Sequence, residues 1–93
     1  MRGEKGLQYS FDELLKDLKI GREIEFEYNN KHCAIVNGNG KWFFCMDSKS
    51  EELCDFDEKD ILIHKVKNLI ILGTALEKII NQKLYTKDTL YIL

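Results

Sequence analysis

From Arg22 to Asp47 the chain reads REIEFEYNNKHCAIVNGNGKWFFCMD, and this run restricts the fold more than any other stretch. Ile24, Phe26 and Tyr28 alternate with Glu23, Glu25 and Glu27, the period of two that turns one set inward and the other toward water. Asn29-Asn30 then interrupts the alternation. Asparagine tolerates the left-handed backbone that a two-residue hairpin turn requires, so a hairpin is expected there. Placing Tyr28 opposite Lys31 pairs Phe26 with Cys33 and Ile24 with Ile35 on one face, and Glu27 with His32 and Glu25 with Ala34 on the other.

A second turn falls at Asn37-Gly38-Asn39-Gly40, where Asn-Gly strongly favours the type I′ geometry. With Asn39-Gly40 central, Phe44 faces Ile35 and Met46 faces Cys33, while Phe43 faces Val36 and Cys45 faces Ala34. Both faces of this meander then carry apolar side chains. The second face has to be covered by a helix or a partner, and the helices expected on either side of the meander can supply that cover.

Ser10-Phe11-Asp12-Glu13 matches a capping box, and Phe11, Leu14, Leu15 and Leu18 recur at helical spacing, so a helix is expected over 10–19 with Gly21 ending it. Glu52 to Phe56 is read as a fourth strand. Asp57 can cap a helix over Glu58 to Lys67 that buries Ile61, Leu62, Val66 and Ile63, although the branched residues there also suit a strand. The helix is preferred. Thr74-Ala75-Leu76-Glu77 is a second capping box, giving a helix near 74–83 with Leu76, Ile79 and Ile80 inward. Thr86 to Leu93 alternates as a terminal strand at the sheet edge. Residues 1–9, with two glycines and mixed charge, are expected to be flexible. The fold class is therefore α+β: an antiparallel meander of three to five strands packed by two or three short helices, in one domain of 93 residues.

Charge narrows the partners. Against a net charge of −2, residues 41–60 hold seven Asp or Glu and three Lys, whereas 61–93 hold five Lys and two acids. Neither block is the clustered basic footprint that phosphate recognition needs, which disfavours nucleic acid. No apolar run is long enough to span a membrane or to form the core of a signal peptide, so a cytoplasmic location is expected. Three cysteines, Cys33, Cys45 and Cys54, lie in no metal-ligand spacing, and an odd number leaves one unpaired in any disulfide scheme.

Catalytic signatures are sparse. Gly38-Asn39-Gly40 lacks the third glycine and following helix of a dinucleotide site, and no nucleophile elbow or phosphate-cradling loop is present. Neither a cofactor nor a metal ion is expected. His32 and Cys33 point to opposite faces, as do Cys33 and Cys45, so these ligands do not converge. A Cys54–His64 nucleophilic pair is conceivable only through tertiary proximity. Glu23, Glu25 and Glu27 form a line of negative charge about 13 Å long at 3.3 Å per residue, which is the most partner-like feature; its plain alternative is a solvated strand face. Tyr28, near the turn, is the candidate aromatic anchor; Trp42 is read as core, with an exposed interaction hot spot as the open alternative.

The pattern E-x-E-F-x-Y-N-x-K at Glu23 to Lys31, followed by G-K-W-F-F at Gly40 to Phe44, resembles small uncharacterised proteins of low-GC Gram-positive bacteria and their mobile elements. No catalytic residues come with that resemblance. The residues point to a small non-enzymatic protein-binding module, an inhibitor, immunity or regulatory protein, that meets a basic surface through Glu23, Glu25, Glu27 and Tyr28. A small enzyme with a Cys/His or carboxylate site is the alternative, and a nucleic-acid-associated protein the third.

Overall fold

The computed structural model describes residues 9–93. Its elements run α1 (Phe11–Lys19), β1 (Ile24–Tyr28), β2 (Lys31–Gly38), β3 (Lys41–Met46), β4 (Lys49–Asp55), α2 (Lys59–Lys67), β5 (Ile70–Ile71), β6 (Thr74–Ala75), α3 (Leu76–Asn81) and β7 (Tyr91–Ile92). An antiparallel five-stranded sheet of order β4-β3-β2-β1-β7 forms the body, and β5 and β6 make a separate small hairpin. The fold is α+β, with the meander at its centre.

Turn chemistry sets the sheet register. Asn29 and Asn30 have φ of 51° and 65°, and Asn39 and Gly40 have 54° and 79°, the paired left-handed residues of type I′ turns. The strands pair as the turns require: Tyr28 with Lys31, Phe26 with Cys33 and Ile24 with Ile35, then Ile35 with Phe44 and Val36 with Phe43. Ile24, Phe26, Cys33, Ile35 and Trp42 thus share the face that enters the core, with Phe44 and Met46 packed against it. Trp42 is wholly buried, donates from Nε1 to the Phe56 carbonyl at 3.0 Å and stacks on the Phe56 ring at 5.7 Å.

Helix α1 begins where Ser10 Oγ accepts from the Glu13 amide at 3.2 Å. It ends in a Schellman arrangement, with the Gly21 amide on Leu18 O and the Arg22 amide on Asp17 O, made possible by a φ of 92° at Gly21. Leu14 and Leu18 enter the core beside Leu62 and Val66 of α2 and Leu76, Ile79 and Ile80 of α3. Tyr9, expected in a flexible start, is buried, and its hydroxyl donates to Asp17 Oδ2 at 2.8 Å. The same expectation for residues 1–8 lies outside the described residues.

Several expectations need correction. The fourth strand begins at Lys49, not Glu52, because a tight turn at Asp47-Ser48 continues the meander directly. Helix α2 forms, but Ile61 is 43% exposed: Leu62 and Val66, four apart, define its inward face, and Ile61 lies off it. Its cap is Glu58, whose carboxylate accepts from the Asp55 amide at 2.9 Å and not from the helix. The expected capping box at Thr74 does not form. Thr74 pairs with Ile71 in the β5–β6 hairpin, its hydroxyl accepts from Tyr28, and α3 starts two residues later. The terminal strand contracts to Tyr91–Ile92, which pairs with Glu25 and Ile24.

The largest departure concerns the second face of the sheet. The buried residues of all three helices belong to one core cluster with Ile24, Phe26 and Ile35; Ala34, Val36, Phe43 and Cys45 lie outside it. Among the described residues the helices therefore cover one face of the sheet and leave the other uncovered.

Candidate functional site

Strand alternation alone builds this uncovered face. Val36 sits opposite Phe43 and Ala34 opposite Cys45, making a four-residue apolar centre on β2 and β3. On the β1 side, Glu25 lies opposite Ala34 and Glu27 opposite His32, with Tyr91 of β7 next to Glu25. On the β4 side, Glu52 lies opposite Phe43, Ser50 opposite Cys45 and Asp55 opposite Lys41. An apolar strip thus runs between two acidic flanks. Ala34 is buried at 6% exposure, Val36, Phe43 and Cys45 are half-buried by their neighbours, and Tyr91 is 39% exposed.

The charges within the face are unevenly compensated. Lys41 Nζ lies 2.6 Å from Asp55 Oδ1 and 3.4 Å from Glu52 Oε2, and the two carboxylates hold its ammonium pKa above the ordinary lysine value. His32 Nε2 is 3.3 Å from Glu25 Oε1. Glu27 is exposed. At the lower corner, Asp47 Oδ1 accepts from the His32 amide at 3.0 Å, and this bond, with Lys31 Nζ 3.4 Å away, holds the Asp47 carboxyl below its usual range.

The four expected binding residues divide. Glu25 and Glu27 lie on the uncovered face. Glu23 precedes β1 and is half-buried; its Oε2 accepts from the Asn37 amide at 2.8 Å, so it closes the top of the β1–β2 hairpin. Tyr28 is only 8% exposed on the opposite face, inside the core, with its hydroxyl 3.1 Å from Thr74 Oγ1. Period-two alternation already put Tyr28 with Ile24 and Phe26 rather than with the glutamates. Phe43, Val36 and Glu52 complete the face, and the register assigned from the two turns was the signal for the first two.

Nucleophilic chemistry finds little support. Burial pushes the Cys33 thiol up to about 11, with Asp47 adding to the effect, and burial also raises Cys45 and Cys54. Cys54 is buried with its Sγ 3.7 Å from the Glu58 carbonyl, while His64 is exposed on α2. Among the described residues no group of three or more His, Cys, Asp or Glu could hold a metal ion, and no helix is long and apolar enough to cross a membrane. A shallow hollow of about 470 Å³ lies between β4 and the end of α2, with Leu53 and Leu69 in its lining. Lys65, on its rim, donates to the Leu53 carbonyl at 2.6 Å.

No family model matches the chain, and neither do the curated proteins or the solved structures with which it was compared.

Proposed function

We propose that this protein is a small non-enzymatic binding module that engages another protein through the uncovered face of its sheet. The observation that carries the reading is the apolar strip of Ala34, Val36, Phe43 and Cys45, outside the core cluster and bordered by acids on both sides. An apolar centre with a charged rim is the usual anatomy of a protein interface. The sign of the rim favours a basic partner surface and disfavours nucleic acid, whose phosphates would be repelled.

Carboxylates at the rim chiefly raise association rate and specificity, while the apolar centre supplies affinity. The test is a Glu25→Gln/Glu27→Gln/Glu52→Gln variant, binding a partner captured from the source cell. Its association rate at low salt should fall about tenfold or more, with less effect as salt rises. An unchanged rate at low salt would leave the acids as a solvated strand face. Glu23 is kept in this variant because it braces the hairpin.

A further inference from the structure

We infer that the partner element seated on this face is a basic amphipathic α-helix lying along β2 and β3; the inference rests on the binding role proposed above and adds the shape and chemistry of the occupant. Three inter-strand spacings separate the glutamates of β1 from Glu52 of β4, about 14 Å at ~4.8 Å per strand. An α-helix with its side chains is about 10–12 Å across, so one helix fits between the flanks. Its apolar side chains at i and i+4 stand about 6 Å apart. Successive rows on the sheet, Val36 with Phe43 and Ala34 with Cys45, are two residues apart, about 6.6 Å. Lys or Arg on the shoulders of such a helix would reach Glu27 and Glu25 on one side, Glu25 lying 3.3 Å from His32, and on the other side Glu52, which such a residue would share with Lys41.

Competing occupants fit less well. A second copy of the chain, face to face, would bring acidic flanks against acidic flanks, and Lys41 is already held by Glu52 and Asp55. Strand addition needs a free edge. Outside β1, Thr86 donates to the Glu27 carbonyl and Leu93 to the Glu23 carbonyl, flanking the β7 pairing. Along β4 the edge is interrupted by a register shift opposite Trp42 and Phe43, by Lys65 on the Leu53 carbonyl and by Glu58 on the Asp55 amide. A helix completes a helix–sheet–helix arrangement in which both sheet faces are buried.

The experiment titrates the full isotope-labelled chain with two synthetic 18-residue peptides of identical Leu and Lys composition. In one, the leucines repeat at helical spacing with lysines on both shoulders; the other is scrambled. The ordered peptide should shift the amides of Ala34, Val36, Phe43 and Cys45, become helical on binding and bind at least tenfold more tightly than the scrambled one. Phe43→Ser, which lies outside the core cluster, should lose at least tenfold while keeping its fold. Equal binding of the two peptides, absence of binding, or shifts centred on the β4 edge would overturn the helix. Photo-crosslinking from position 43 to the captured natural partner separates the two levels. A crosslink into a basic amphipathic helix supports the inference; one into a strand or loop removes the helix but keeps the binding role; none from a bound partner removes both.

Discussion

Tyr28 and Glu23 show how a side chain that looks available in a sequence acquires a structural task. The Tyr28 hydroxyl, 3.1 Å from Thr74, ties the end of β1 to the β5–β6 hairpin. Tyr28→Phe should cost about 0.5–1.5 kcal/mol in chemical denaturation and leave partner association unchanged. Phe26, 1% exposed, should cost about 3–5 kcal/mol when replaced by alanine. Cys33 adds a pH dependence. Its thiol is raised from 9.0 to about 11 in the folded chain, so between those values the unfolded chain loses the proton first. Stability is fully present below pH 9 and declines toward pH 11, by about 2 kcal/mol from this group. Cys45, Cys54 and Tyr9 are raised as well and act in the same direction. Denaturation midpoints from pH 7 to 11 check this, and Cys33→Ala should flatten part of the decline.

At the scale of elements, the sheet was legible because its information is local: Asn-Asn and Asn-Gly specify turn geometry, and alternation then fixes every pairing through β3. Helix α1 was legible for the same reason, with Ser10, the Leu14–Leu18 stripe and Gly21 all within one short segment. The β5–β6 hairpin was not. Its turn is Leu72-Gly73, and Leu72 has a φ of 50°, a conformation that leucine seldom adopts, so no turn signal marked it. With Thr74 drawn into that hairpin, a local capping pattern lost to a tertiary contact with Tyr28. Leu72 is also 49% exposed. Leu72→Asn would convert the turn to Asn-Gly and should stabilise the chain by about 1 kcal/mol, raising the melting temperature by about 4–8 °C. An unchanged or lower melting temperature would show that the leucine side chain makes contacts outweighing its backbone strain.

For the whole molecule, the uncovered face was half legible. The register put Val36, Phe43, Ala34 and Cys45 together, but the helices on either side of the meander in sequence, with a partner the alternative, were expected to be able to cover that second face. They do not, because short connections return all three to one core: only four residues separate the end of α1 from β1, and Asp55 and Lys59 are separated by three. Covering one face consumes the inward stripes of all three helices, leaving none for the other. The acidic border was visible on β1 alone; Glu52, inside the expected fourth strand, joins it because the register shift between Trp42 and Phe43 sets it opposite Phe43 instead of on the Cys54 side. The proposed partner seats on the sheet face that the helices leave uncovered among the described residues. The most direct measurement is the affinity of Phe43→Ser for the captured partner, made beside its melting temperature. A central interface residue should weaken binding by about 30-fold or more, corresponding to about 2 kcal/mol, with melting nearly unchanged. Parental affinity in a fully folded Phe43→Ser protein would remove the binding role from this face.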